Sequence, residues 1–256
     1  MVSYITVLGR EIPLYGIFFY LGILIAVTIA LLLSRKKRFA PFDIISSAVY
    51  AMIGALLGSK LLFILVSIQQ IVEYEISFVG MIKGGFVFYG GLLGGALGLL
   101  IYAKQFKVNF FEYADLYATV LPIGHALGRV GCFFAGCCYG IPHDGFLSHT
   151  YTSSVGTTPI GTPLLAIQLI ESVLLFLLFT VLLVIYILRK QRVGLCSTIY
   201  AILYAILRFL LEFFRGDKGR GVFLLSTSQW ISLFILVLVF MLLLRDHVRN
   251  NLKNKI

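Results

Sequence analysis

Charge is what this sequence has least of. Only 12% of its 256 residues are charged, 60% are hydrophobic, and acidic side chains number 11. A soluble domain of this length needs a polar exterior that these residues cannot supply, so lipid has to cover most of the outside. Residues 1–13 have no basic run, no short apolar core and no small-residue cleavage site, which argues against a removable signal peptide. Cysteine is scarce as well. Four of them, three close together, make no disulfide framework. Cys132, Cys137 and Cys138 follow a C-x4-C-C pattern without the paired C-x2-C spacing of structural zinc sites, so neither a metal ligand set nor a cofactor is expected; Cys132 and Cys196 read as small packing residues. No internal repeat relates one half of the chain to the other, which counts against a transporter built from inverted repeats.

What is present is apolar length. A membrane helix needs roughly 20 apolar residues, and segments 14–33, 44–68, 86–102, 111–134, 164–188, 197–214 and 228–244 supply it. The expectation is an all-α integral membrane protein, a single polytopic domain over residues 1–256 with about seven transmembrane helices. Orientation follows the basic residues in the short connections. Arg35, Lys36, Lys37 and Arg38, then Lys104 and Lys107, then Arg189, Lys190 and Arg192, then Arg245, Arg249, Lys253 and Lys255 all fall on one side. That side is expected in the cytoplasm, with the N-terminus outside and the C-terminus inside. The formal charge of +10 is explained by this topology and not by nucleic acid. Segments 69–85 and 139–163 are then outer connections long enough to cap a site.

Eight basic residues remain that topology does not explain: Arg10, Lys60, Lys83, Arg129, Arg208, Arg215, Lys218 and Arg220. A cation at the centre of a membrane helix costs on the order of 3 kcal/mol on insertion scales, so such residues usually face the bundle interior and serve a function. Tyr204, Arg208, Glu212 and Arg215 are spaced to share one helical face. An Arg208–Glu212 pair that neutralises itself is the bland reading; Arg215 lacks an obvious partner and suits a phosphate, which a guanidinium grips with a rigid fork of donors. In HALGRVGCFFAGCCYG, His125, Arg129 and Cys132 also share a face, and Gly124, Gly128, Gly131 and Gly136 leave little bulk. Small residues admit a neighbouring helix or a lipid equally well. Arg129 favours an anionic headgroup. Tyr89 precedes Gly90 and Gly91 and is either an interfacial tyrosine or part of a site.

Together these segments resemble the bacterial prolipoprotein diacylglyceryl transferases. Leu14, Tyr15 and Gly16 look like that family's entry to its first helix. Residues 54–61, GALLGSKL, resemble its second-helix motif with Lys60 where arginine is usual. Residues 88–91 end in the paired glycines, residues 128–140 resemble the Gly-Arg-x-Gly signature, and residues 162–171 and 204–221 with Ser228 and Gln229 complete the series. Tyr89 stands where many members have histidine, and Cys132 and Cys137 stand where asparagine and glutamate are usual. The resemblance implies transfer of a diacylglyceryl group from phosphatidylglycerol to the lipobox cysteine of a prolipoprotein signal peptide, in the plasma (inner) membrane of a bacterial cell, with membrane lipid around it and no nucleic acid partner. A thioether forms and glycerol phosphate leaves. Arg129 and Arg208 are expected to stabilise the phosphate, with Arg215 and Lys60 in support. His125, Tyr89 and Glu212 are the candidates for the thiol's base. Tyr15, Gly90, Gly91, Gly128, Gly131 and Tyr204 are expected to contact substrate. The alternatives are a family paralogue using the same lipid with another acceptor, and a lipid or anion transporter.

Overall fold

The computed structural model describes residues 4–7, 10–35, 39–73, 85–154, 158–188, 192–217, 221–222 and 224–253. Among them run seven long helices: α1 (Leu14–Ser34), α2 (Pro41–Val66), α4 (Phe88–Gln105), α5 (Phe110–Ala135), α6 (Ile167–Leu188), α7 (Leu195–Leu211) and α8 (Thr227–Lys253). A short helix, α3 (Ile68–Glu73), follows α2. Six of the long helices are long and apolar enough to cross a membrane. The exception is α4, where Gly90, Gly91, Gly94, Gly95 and Gly98 dilute the apolar character and the last turn carries Lys104. Three two-stranded antiparallel ribbons complete the described fold: β1 (Tyr4–Val7) with β2 (Arg10–Pro13), β3 (Ser148–Thr150) with β4 (Pro163–Leu165), and β5 (Gly221–Val222) with β6 (Leu225–Ser226).

Local chemistry explains the helix ends. Pro41 opens α2 after an extended Ala40, where a missing N–H costs nothing, and Asp43 sits in the first turn beside the positive end of the dipole. Helix α8 starts with a reciprocal capping box: Gln229 N donates to Ser226 Oγ at 3.1 Å, and Ser226 N donates to Gln229 Oε1 at 2.9 Å. Helix α5 ends in a Schellman motif. Gly136 takes φ +64°, its N–H reaches Phe133 O at 3.2 Å, and Cys137 N reaches Cys132 O at 3.1 Å.

The chain divides into two compact units, residues 30–116 and residues 1–29 with 117–256. In the first, α2 and α4 approach until backbone meets backbone. A Cβ on Gly90 would lie 2.7 Å from Leu62 Cβ and 2.9 Å from Gly58 C, and one on Gly94 would lie 2.9 Å from Gly58 Cα. Side chains would hold these helices apart, and their absence lets dispersion act between the backbones where lipid removes any hydrophobic drive. Tyr102 and Gln105 on α4 accept or donate across to α2: Tyr102 Oη donates to Asp43 Oδ1 at 3.3 Å, and Tyr50 Oη donates to Gln105 Oε1 at 2.9 Å.

In the second unit several polar residues are buried while many large apolar ones are exposed. Gln168, Glu171, Arg208, Gln229 and Ser232 are buried, whereas Leu177, Val184, Phe234, Leu238 and Phe240 are exposed along the same helices. That arrangement suits lipid as solvent. Above the helix ends, residues 139–154 and 158–165 form a cap around Tyr139, Tyr151 and Leu164, with Phe133 packed against them.

Two sequence expectations need correcting. The fifth span does not begin at residue 164, because residues 163–165 pair as β4 with β3 and the helix starts only at Ile167. The stripe from Tyr204 does not extend to Arg215 as a helical face. The α-helix ends at Leu211, a 3-10 turn covers Glu212–Phe214, and Arg215 is extended at φ −80°, ψ 132°. Lys36, Lys37, Arg38, Lys83, Arg189, Lys190, Lys218, Arg220 and Lys255 lie outside the described residues.

Candidate active site

Glu171 sits at the centre. It projects from the first turns of α6, is 1% exposed, and gathers groups from two further helices. Arg129 Nε on α5 lies 3.1 Å from Oε1, Arg208 on α7 places a terminal nitrogen 3.8 Å from Oε2, and His125 Nε2 lies 3.9 Å from Oε1. Arg208 also meets Glu212 at 2.6 Å and donates to Ser228 Oγ at 3.3 Å. Both guanidiniums are thus paired in a dry setting, which is the only cheap way to keep them charged there. Tyr204 packs its ring edgewise on His125 at 5.5 Å and stacks on Tyr200 at 5.6 Å.

The structure therefore brings Arg129, His125, Tyr204, Arg208 and Glu212 together, as the spacing on α5 and α7 implied. It adds Glu171, which counting cations passes over. Its signal was available: a carboxylate within the apolar run IQLIESVLL is as costly as an arginine there. Among the described residues, Arg129 commits only Nε to an ion pair, leaving the two terminal amino groups of its fork uncommitted.

The glycines beside it differ in what they do. A Cβ at Gly128 would meet nothing within 4 Å, so packing does not demand glycine there. At Gly131 it would lie 3.2 Å from Tyr15 O, so that glycine lets α1 approach α5. Tyr15 itself lies within electrostatic reach of Arg129 and the three clustered cysteines.

Arg215 is not the unpaired cation that the sequence suggested. Its Nε donates to Asp217 Oδ1 at 2.8 Å and its terminal nitrogen to Oδ2 at 2.9 Å, a bidentate fork. Burial works against its charge, and Asp217 more than offsets this, holding the guanidinium above its ordinary value. Backbone contacts fix its position: Gly140 bridges to Arg215, Ile141 N reaches Phe214 O at 3.0 Å, and Gly216 N reaches Tyr139 O at 3.0 Å.

The loop after α5 is pinned by side chains from the cap and α6. Ser154 Oγ donates to Gly136 O at 2.9 Å, as does Thr158 Oγ1 to the same carbonyl, and Gln168 Nε2 donates to Cys137 O at 2.7 Å and to Tyr151 Oη at 3.2 Å. Burial pushes the Tyr151 phenol up to about 12, so it stays neutral as a partner for the amide. Gln168→Leu is expected to cost about 1–3 kcal/mol by stranding the Cys137 carbonyl; the fall in unfolding temperature in detergent measures it.

Lys60, Tyr89, Gly90 and Gly91 belong to the other unit. Lys60 Nζ donates to Gly85 O at 3.1 Å and lies over the Phe86 ring at 4.1 Å. Tyr89 is 3% exposed, so it is not a solvent-facing interfacial tyrosine in that unit. Gly90 answers to helix packing against Gly58, whereas a Cβ at Gly91 would make ordinary contact, 3.6 Å from Ala55 O.

The sequence profile described as prolipoprotein diacylglyceryl transferase matches residues 3–245. A Clostridium tetani protein named phosphatidylglycerol-prolipoprotein diacylglyceryl transferase is 35% identical over 230 residues, 90% of this chain and 91% of that one. A Clostridium perfringens protein named phosphatidylglycerol-prolipoprotein diacylglyceryl transferase 2 is 33% identical over 231 residues, 90% of each chain. A Finegoldia magna protein with the first of these names is 26% identical over 232 residues, covering 91% of this chain and 90% of its own.

Proposed function

The chain belongs to the prolipoprotein diacylglyceryl transferase family, and on that premise we propose that it transfers the diacylglyceryl group of phosphatidylglycerol to a prolipoprotein. The acceptor is the thiol of a lipobox cysteine in the signal peptide. Its sulfur forms a bond to the glyceryl carbon as the carbon–oxygen bond to phosphate breaks. Glycerol phosphate leaves with that electron pair, and the thiol proton passes to a base.

The observation that carries this reading is the Arg129 fork, anchored through Nε by Glu171 with its remaining donors uncommitted among the described residues. A leaving phosphate gains charge as the bond breaks, and preorganised donors in a water-poor site stabilise that charge strongly. Arg208 supplies a second cation from another helix. The open space at Gly128 supports close approach of a lipid beside Arg129. Glu171 and Glu212 keep the arginines charged before the lipid arrives, and His125, Tyr89 and Glu212 stand as the candidates to receive the proton. Tyr15 and Tyr204 stand beside the same arginine cluster.

We place the protein in a bacterial plasma membrane as one polytopic domain, with α4 a seventh span, the N-terminus outside and the C-terminus in the cytoplasm. Purified protein in phosphatidylglycerol vesicles is expected to convert a lipobox peptide to a product heavier by one diacylglyceryl group, while Arg129→Ala yields none. Mass spectrometry of the peptide decides it. Failure of the well-folded wild type, or full product from the variant, sinks the proposal.

A further inference from the structure

Three thiols have no part in the transfer as described. Cys132, Cys137 and Cys138 carry no disulfide. Spacing in the sequence sets them apart from zinc motifs, but folding gathers their sulfur atoms within 4.8 Å of one another. The cause is the end of α5. A Schellman motif returns its second post-helical residue over the last turn, which lays Cys137 back on Cys132, and Cys137 Sγ lies 3.7 Å from Cys132 O. Cys138 then adopts φ +59°, a left-handed conformation that a residue with a Cβ seldom takes, and this turns the chain again. The carbonyls of Gly136 and Cys137 are tied down by Ser154, Thr158 and Gln168, so the geometry is fixed from both sides.

With metal–sulfur bonds of about 2.3 Å, the sulfurs of a tetrahedral or trigonal site stand roughly 3.8–4.0 Å apart. Closing from the observed spacing of up to 4.8 Å takes about an ångström at most. Thiolates select soft or borderline ions over magnesium or calcium. Gathering three negative sulfurs is opposed by their mutual repulsion, and here Arg215 and Arg129 bear electrostatically on Cys138 while Arg129 bears on Cys132. No fourth His, Cys, Asp or Glu joins the group among the described residues. Structural zinc sites close with four protein ligands, whereas sites that act on a substrate keep a position open.

We propose that Cys132, Cys137 and Cys138 bind one ion of the Zn(II) class through three thiolates, leaving a fourth position for an external thiol. Binding that thiol exchanges its S–H bond for S–metal and releases one proton. That the external thiol is the acceptor cysteine rests on the transfer reading above. The ion then holds the nucleophile as thiolate one helical turn from Arg129, in the positions where the resembling family usually carries asparagine and glutamate.

The test uses reduced full-length protein in detergent without oxygen, titrated with Cd(II) as the spectroscopic stand-in for Zn(II). One saturable equivalent of sulfur-to-cadmium charge-transfer absorption is expected in the wild type and in Cys196→Ser. It is absent from Cys132→Ser, Cys137→Ser and Cys138→Ser. Because a serine variant can misfold, the wild type is also alkylated with and without Zn(II), and peptide mapping should show all three thiols protected by the ion. Adding a lipobox peptide should raise the charge-transfer band, and the same peptide with cysteine changed to serine should not. No saturable equivalent, a band that survives the serine changes, or thiols that pair as a disulfide instead would overturn the site. A bound ion blind to the peptide overturns the fourth position. None of these outcomes touches the transfer reading, which the mass of the peptide product decides.

Discussion

Glu171→Ala is expected to leave no measurable peptide product and to lower stability by about 3–5 kcal/mol, the range seen when one partner of a buried ion pair is removed. The reason is that Glu171 is the shared counterion of Arg129 and Arg208 on two different helices and is itself 1% exposed. Without it Arg129 loses its only ion pair among the described residues, and a dry guanidinium without a partner forces the helices apart or draws water in. Glu171→Gln separates the two effects. The amide fills the same space and can accept from Arg129 Nε, so most of the packing survives while the charge is gone. Unfolding temperature in detergent and product mass, measured on both variants, are the readouts. A Gln variant as active as wild type would show that the carboxylate's charge is dispensable.

Gly94→Val should be nearly as damaging, through packing alone. Its Cβ would press on the Gly54 carbonyl and lie 2.9 Å from Gly58 Cα. Overpacking a core usually costs about 1–3 kcal/mol because side chains rotate away. Backbone cannot, so the loss here exceeds that range. The neighbouring position provides the control. A Cβ at Gly95 would make ordinary contacts, 3.4 Å to Ala51 O and 3.5 Å to Ala55 Cβ, and alanine in a helix interior gains roughly 0.5–1 kcal/mol over glycine. Gly95→Ala is expected to unfold at or above the wild-type temperature and Gly94→Val far below it, with little folded protein recovered. Equal temperatures for the two would mean that α2 and α4 do not meet along this face.

Hydropathy alone located the long helices, because lipid forces each apolar run to satisfy its own backbone. Helix ends were harder. The chain between residues 163 and 167 is apolar enough to read as helix, yet Pro163–Leu165 finds strand partners in Ser148–Thr150, a pairing across the cap that no local pattern encodes. The face shared by Tyr204, Arg208 and Glu212 was legible from spacing, and Arg215 was not, since a single 3-10 turn shifts everything after it. Asp217, two residues on, is the partner that the helical reading hid. Glu171 was passed over although its carboxylate is a charge in the wrong solvent, and the cysteine cluster was not visible as a spacing rule, because its contact depends on a glycine that reverses the chain. The Ser226–Gln229 box, by contrast, is a sequence pattern and a structure at once.

The two guanidiniums and two carboxylates around Glu171 cancel, so with His125 neutral the cluster is electrically balanced before any lipid enters. A phosphodiester brings one negative charge too many for so dry a place. Either a carboxylate must yield its arginine to the newcomer or a proton must arrive alongside it. On the proposed function, Glu171 and Glu212 keep that balance until the headgroup arrives, and its extra charge is what the site must then absorb.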